Sequence, residues 1–181
     1  FKNIESKEIF INIFPQFKFH ERLENFNNLS DKFIEYFDQQ LILALLLVDQ
    51  TNNYEFFCYK YKTSNSIKNK FKIISQNFKN LKIKNFYNEQ NLKKFIYLND
   101  KSTVKDVMLF AKCVDNMYKK INIEELLELI DKCVVPKFPI SGNDLKKIGY
   151  ESGEELGKKL KLLEKEWLEN NFFINENLKL N

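Results

Sequence analysis

The sequence predicts an all-α protein, a multi-helix body followed by a tail, with no substantial sheet. Apolar residues recur at three- and four-residue steps along several segments, which is the period of an amphipathic helix. We find no convincing hairpin signal and no alternating run of strand length. All four glycines and two of the three prolines fall within residues 136–157, so residues 1–135 are interpreted as helices joined by polar turns.

The body helices are predicted from their apolar stripes. Residues 31–49 carry such a stripe, and Ser30 is the predicted cap of that helix. Residues 54–61 are rich in aromatic side chains, as strands often are, but a short helix is the better prediction because no partner strand is nearby. Three further helices are predicted over residues 5–13, 64–78 and 89–98.

Two later body helices are predicted from their caps. In the helix over 103–118, Thr103 and Asp106 have the spacing of a capping box, in which two side chains satisfy each other's backbone N–H groups. Asn122 is the predicted cap of the helix over 123–134. The inward-facing side chains of that helix are predicted to be Leu126, Leu127, Ile130 and Val134.

The tail begins with two prolines and a glycine-rich turn. Ser141 and Asp144 have capping-box spacing, which predicts a short helix over about 142–148, and Gly149 is suited to end it in a left-handed conformation. A long last helix is predicted over 153–170. A second box, between Ser152 and Glu155, would start it, and its inward stripe is Leu156, Leu160, Leu163 and Trp167.

These patterns divide the chain into a helical body over residues 1–135 and a tail over residues 136–181. The sequence begins at Phe1 rather than at a methionine, so we expect it to be part of a longer protein.

Composition argues against several classes of protein. His20 is the only histidine, and Cys58, Cys113 and Cys133 are far apart, so we expect reduced thiols and predict no metal site and no catalytic residue. An independent hydrolase has no plausible site. The longest apolar run, over residues 41–48, is too short to cross a bilayer, and no secretory signal is apparent. We therefore expect no membrane partner and a cytoplasmic location.

Charge is concentrated in the middle of the chain. Residues 58–98 contain ten lysines and one acidic residue, Glu89, whereas lysines elsewhere are balanced by acids. Clustered lysines attract polyanions, and we take Lys68, Lys70 and Lys72 as the first candidates for phosphate contacts. The alternative is an ordinary solvated helix face in a lysine-rich chain. The aromatic side chains of this block are interpreted as mostly core.

The glycine-rich turn is the second candidate site. It reads FPISGNDLKKIGYESGEELG over residues 138–157 and brings two helix N-termini close together in sequence. The unpaired N–H groups of such termini bind phosphate well. The candidate binding residues here are Gly142, Asn143, Lys146, Lys147, Gly153, Lys158 and Lys159. The alternative is a plain connector between two helices.

The tail resembles a known family. The turn and the helix that follows it are similar to the tail motif of bacterial class II tRNA nucleotidyltransferases, the CCA-adding enzymes, and of the related poly(A) polymerases. The matching positions are Gly142, Asp144, Leu145, Gly149, Gly153, Gly157, Glu166 and Trp167. Weaker similarity extends upstream to the segments at 13–17, 41–47 and 64–78.

The resemblance implies that this chain is the helical body and tail of such an enzyme, with tRNA as its partner. It would grip the tRNA elbow and acceptor stem through phosphates, which is recognition by shape and backbone. The family's catalytic head holds Mg²⁺ on paired aspartates, and its neck carries a Glu-Asp-x-x-Arg motif. Neither motif occurs here, and the lone arginine, Arg22, lies in HERL.

The sequence leaves more than one functional hypothesis. This chain alone should bind no cofactor and add no nucleotide, because head and neck of the same protein would supply the Mg²⁺ and the nucleotide site. CCA addition and poly(A) addition are not separated by these residues. A different reading is a stand-alone helical protein-interaction module, which would need an exposed apolar stripe left over after core packing.

Overall fold

The computed structural model of the protein describes residues 8–9, 12–78, 80, 88–114 and 122–174. Within those ranges every regular element longer than one turn is an α helix and no strand occurs, which confirms the all-α prediction. The helices are α1 (Glu21–Asn27), α2 (Asp31–Ile34), α3 (Gln39–Leu47), α4 (Asn53–Lys60), α5 (Asn65–Phe78), α6 (Glu89–Leu98), α7 (Lys101–Val114), α8 (Ile123–Lys132), α9 (Gly142–Lys147) and α10 (Glu154–Glu169).

The chain packs as two compact units. The first comprises Phe1–Phe86 with Asn99–Lys132, and the second comprises Tyr87–Leu98 with Cys133–Asn181. Helix α6 thus packs with the C-terminal segment, whereas the sequence-based division placed residues 89–98 in the body. The helix predicted over 5–13 lies largely outside the described residues.

Helix α7 is the centre of the first unit. Helices α1, α3, α5 and α8 all pack against it. Its apolar face is almost completely buried, from Val104 to Cys113, and Phe110 and Ala111 are fully inaccessible. Each fully buried side chain the size of valine or larger contributes on the order of 1.5–3 kcal/mol to folding. Helices α4 and α5, which carry the exposed Lys60, Lys68 and Lys72, are therefore attached to a well-packed core through α5.

The segment 31–49 is two helices rather than the single helix predicted. Helix α2 ends at Ile34, and α3 starts again at Gln39. The carboxylate of Asp38 caps α3 by accepting from the Leu41 N–H at 2.7 Å, while the Ser30 side chain makes no cap hydrogen bond. An apolar stripe at three- and four-residue steps continues across such a break, so periodicity alone does not reveal it.

Helix α7 starts two residues before the predicted cap. The Asp100 carboxylate accepts from the Thr103 N–H at 2.8 Å, so the expected Thr103–Asp106 box is wrong. Asp106 is instead buried and points into the unit, where it meets Lys70. The prediction for α8 is confirmed at its start, because the Asn122 side chain accepts from the Glu124 N–H at 3.1 Å.

The second unit has its own small core. Ile140, Leu145 and Leu163 are buried, and Leu156 and Leu160 pack against them together with neighbouring aromatic rings. Trp167 is buried too, with its ring centroid 4.9 Å from Phe172 and 5.3 Å from Phe138. This confirms the inward stripe predicted for the last helix. Val134 differs from its prediction and is 82% exposed, since α8 ends at Lys132.

None of the described helices has the length and apolar character needed to cross a bilayer. Cys58 and Cys113 are buried free thiols, and Cys133 is a half-buried one.

Candidate nucleic-acid interface

The turn into α9 is built as predicted. The Ser141 side chain accepts from the Asp144 N–H at 3.4 Å, and the Asp144 carboxylate accepts from the Ser141 N–H at 3.0 Å. The Ser141 hydroxyl also donates to that carboxylate at 2.6 Å. The hydrogen bond from the Ser141 hydroxyl, and to a lesser extent the one from its backbone N–H, holds the pKa of Asp144 below its usual value. Asp144 therefore stabilises the turn through its contacts with Ser141.

The glycines of the turn have different structural roles. Gly149 ends α9 at φ +100°, which confirms the predicted left-handed residue. Gly153 is the N-cap of α10 at φ +149°, a conformation that side-chain-bearing residues rarely adopt. A Cβ on Gly142 would lie 3.3 Å from Leu156 Cδ2, so this glycine permits close packing of α9 on α10. The Ser152–Glu155 box does not form, because the cap is Gly153, which has no side-chain acceptor.

Around this turn the charges are mixed. Lys146, Lys147 and Lys158 are exposed, as is Asn143, while Lys159 is half-buried. Lys158 pairs with Glu154 at 2.7 Å, and Lys147 lies 3.4 Å from Asp144. The first two residues of α10, Glu154 and Glu155, are acidic. The structure brings the seven tail candidates into one unit, but carboxylates lie among them.

The three lysines proposed on α5 do not form one set. Lys68 and Lys72 are exposed. The side chain of Lys70 is only 18% exposed, and its Nζ lies 2.7 Å from Asp38 Oδ2 and 2.9 Å from Asp106 Oδ2. Lys70 therefore links α5 to the start of α3 and to α7, and its charge is neutralised within the first unit.

Burial and mutual contacts shift the pKa values of Lys70, Asp38 and Asp106. Burial raises the pKa of Asp106 despite the opposing effect of Lys70. Burial also works against the charge of Lys70, but the hydrogen bonds that its ammonium group donates to Asp38 and Asp106 outweigh burial and raise the pKa of Lys70. Asp38 is more exposed, and its contacts with Lys70 and the Leu41 N–H overcome burial and lower its pKa. The cluster links α3, α5 and α7, and the charge of Lys70 is neutralised within it.

The aromatic residues of the basic block fall into two groups. Phe71 and Phe78 are buried, which confirms the core interpretation for them, and Phe78 meets Phe110 edge-on at 5.9 Å. Tyr59, by contrast, is 86% exposed, and its neighbour Phe56 is 61% exposed. The core interpretation does not hold for Tyr59, and Phe56 lies just before the basic block, outside that interpretation. Lys79, Lys82 and Lys84 of the block lie outside the described residues.

No protein-family profile matches the sequence. A stretch of 43 residues, 24% of the chain, is 44% identical to CCA tRNA nucleotidyltransferase 1, mitochondrial, of Danio rerio. The Mus musculus and Homo sapiens proteins of the same name are 43% and 40% identical over 42 residues. About a quarter of this chain is similar to tRNA nucleotidyltransferases.

The similarity supports a relationship to tRNA nucleotidyltransferases, without distinguishing their classes. The matched stretch spans about a tenth of the length of each of these curated relatives. Among the described residues, no group of three or more histidine, cysteine, aspartate or glutamate side chains could hold a metal ion. What the arrangement offers chemically is exposed lysines on α4 and α5 and a glycine-rich turn between two helices.

Proposed function

We propose that this chain is the tRNA-binding body and tail of a tRNA nucleotidyltransferase, and that it holds tRNA while a head elsewhere in the parent protein adds nucleotides. The observation that carries the proposal is the 40–44% identity to CCA tRNA nucleotidyltransferases over about a quarter of the chain. In this proposal the head would bring the Mg²⁺ and the neck the nucleotide site, because the chain contains no Asp-x-Asp sequence. CCA addition is the activity that the relatives' names support.

The exposed lysines of the first unit fit a phosphate backbone. Residues 56–78 contain five lysines and neither aspartate nor glutamate. Lys70 is neutralised internally, which leaves Lys60, Lys62, Lys68 and Lys72 exposed on α4, α5 and the turn between them. Each phosphate that these side chains neutralise releases counterions, which drives binding without regard to base sequence. The first unit thus supplies the stronger electrostatic part of the proposed contact.

The tail turn would contribute fewer phosphate contacts than the lysines of the first unit. The N–H groups at the start of α10 are available to a phosphate, and Gly153 leaves them uncovered. Glu154 and Glu155 oppose an anion at the same place, so Lys146 and Lys159 are needed to offset them. We therefore assign most of the salt-dependent affinity to Lys68 and Lys72, and orientation of the tRNA to the tail.

A charge-reversal experiment tests the proposal. Lys68→Glu with Lys72→Glu should weaken tRNA binding by about tenfold or more at 0.1 M salt, and should flatten the salt dependence by roughly two phosphate contacts. Lys70 is left unchanged, since altering it would disturb the core. The measurement is a titration of labelled tRNA at several salt concentrations.

The matched control reverses two exposed lysines that pair with acids on α8. Lys32 and Lys132 lie 3.0 Å from Glu124 and 2.9 Å from Glu128, so Lys32→Glu with Lys132→Glu changes the net charge equally at a different place. We expect this variant to lose much less affinity. Equal losses in both double variants, or binding that does not respond to salt, would contradict a localised phosphate-binding surface.

A further inference from the structure

Helix α4 presents two aromatic rings to solvent on one face. Phe56 and Tyr59 are three residues apart, which makes them neighbours on a helix surface. They are among the most exposed aromatic side chains of the described part of the chain, at 61% and 86%. The opposite face of α4, with Tyr54, Phe57 and Cys58, is buried. Helix α4 therefore packs on the core through that face, and the rings of Phe56 and Tyr59 take no part in core packing.

Exposed lysines lie next to Tyr59 in the chain and on the helix that packs against α4. Lys60 follows Tyr59 directly, and its Nζ lies 5.2 Å from the ring centre of Tyr61. Helix α4 packs against α5, which carries Lys68 and Lys72 on its exposed side. Glu55 is the only acidic residue of α4. An exposed aromatic pair among lysines is complementary to a ligand that combines flat rings with negative charge.

We propose that Phe56 and Tyr59 form a stacking platform for unpaired RNA bases, with the phosphates of the same strand on the neighbouring lysines. This inference rests on the proposed function and adds which part of the RNA the surface reads. Base pairs inside a duplex are covered on both faces, so unpaired nucleotides are the ones that can place their faces on a protein ring along a strand. Stacking is tolerant of base identity because every base has a π face.

The exposed ring of Tyr36 provides a comparison, because it lies among mostly acidic side chains. Tyr36 of the first unit is 46% exposed and borders a small groove of about 110 Å³. That groove is also lined by three acidic residues, Glu124, Glu128 and Asp131, and by one lysine, Lys32, so its net charge is negative. Acidic side chains repel the phosphates that accompany any RNA base. Tyr36 is therefore a matched control: an exposed tyrosine in the same unit whose neighbourhood does not suit RNA.

The test uses two labelled probes with equal charge, an oligoadenylate of about 12 nucleotides and an abasic strand of the same length. Tyr59→Ala should weaken oligoadenylate binding by about 5- to 100-fold, the loss of one stacked base, and Phe56→Ala should act in the same direction. Neither variant should change binding of the abasic strand. Tyr59→Phe, which keeps the ring, should bind like the wild type, and so should Tyr36→Ala. Melting curves should stay within about 2 °C of the wild type, because both rings are exposed.

The possible outcomes separate this inference from the proposed function. Normal oligoadenylate binding by Tyr59→Ala, with tRNA binding still sensitive to Lys68→Glu and Lys72→Glu, overturns the stacking platform alone. Absence of any RNA binding by the wild-type chain overturns both. A wild-type chain that self-associates in sedimentation, and becomes monomeric with Tyr59→Ala while oligoadenylate binding is unchanged, would assign the rings to a protein interface instead.

Discussion

The only arginine of the chain has a structural role. Its Nη1 donates to the backbone carbonyls of Leu45 at 3.1 Å and of Val48 at 2.7 Å, where α3 ends. Its guanidinium carbon lies 3.8 Å from the ring centre of Phe19. Burial lowers the pKa of Arg22 to about 10, against the effects of Glu21 and Asp49, so the group stays charged at neutral pH. Arg22 thus satisfies carbonyls that the helix end leaves unpaired.

Arg22→Lys should lower the free energy of unfolding by about 2–3 kcal/mol. An ammonium group lacks the planar shape that lets one side chain reach two carbonyls and stack on a ring, and a buried charge that loses its partners is costly. Urea denaturation measures the loss. Binding of tRNA by the folded variant should be unchanged, so a fall in affinity larger than the unfolded fraction explains would contradict a purely structural role.

Lys70→Met should destabilise the first unit at neutral pH. It leaves Asp106 buried without its partner, at a cost of about 1–2 kcal/mol once solvent screening at Asp38 is allowed for. The folded-state pKa of Asp106 is already above its unfolded value, so the fold favours the protonated form. Removing Lys70 raises that pKa further. The deficit is therefore largest at pH 7 and shrinks as the pH falls through the pKa of Asp106.

Urea titrations at pH 7 and at about pH 4 test this sign, since ordinary aspartates titrate near pH 4. Lys72→Met is the control, because Lys72 is exposed on the same helix. It should cost little at either pH. A deficit for Lys70→Met that is the same at both values would show that Asp106 is not the group responsible.

At the scale of single elements, the glycines of the tail offer a test of local geometry. Gly157 lies in the first turns of α10, and a Cβ there would meet no atom within 4 Å. Gly157→Ala should therefore stabilise the second unit by about 0.5–1 kcal/mol, because alanine loses less backbone freedom in a helix. Gly153→Ala should instead destabilise it, since φ at Gly153 is +149°. Opposite shifts in melting temperature are expected, and a lower value for Gly157→Ala would contradict the open space around it.

Helix existence was predictable from periodicity, whereas the capping residues were predictable only in part. The helices predicted over 64–78 and 89–98 match α5 and α6 to within one residue, because their apolar stripes are long and regular. Of the predicted capping boxes, the one at Ser141 forms, and those at Thr103 and Ser152 do not. Capping spacing is common wherever serine, threonine and acidic residues abound. Which of them caps depends on the residue whose backbone is extended, and spacing carries no information on that.

At the scale of the whole chain, the positive charge of the candidate site was predictable from the sequence. Which of its side chains are buried and which are exposed was not. The run of lysines shows in the sequence, and exposure of Lys68 and Lys72 agrees with it. The inward position of Lys70 depends on Asp38 and Asp106, which are more than thirty residues away on other helices. The exposure of Tyr59 depends on which face of α4 packs against α5. Both are consequences of tertiary packing, which local patterns do not encode.

The chain on its own should bind tRNA without extending it. With Mg²⁺, CTP, ATP and a tRNA that lacks its 3′ CCA, the purified chain should incorporate no nucleotide, because its sequence has no paired aspartates to bridge two metal ions. Added in excess to an intact CCA-adding enzyme, it should inhibit by sequestering the tRNA, with half-inhibition near its own dissociation constant for that tRNA. The Lys68→Glu, Lys72→Glu variant should inhibit at least about tenfold less well. Nucleotide addition by the chain alone, or equal inhibition by wild type and variant, would contradict a purely tRNA-holding role.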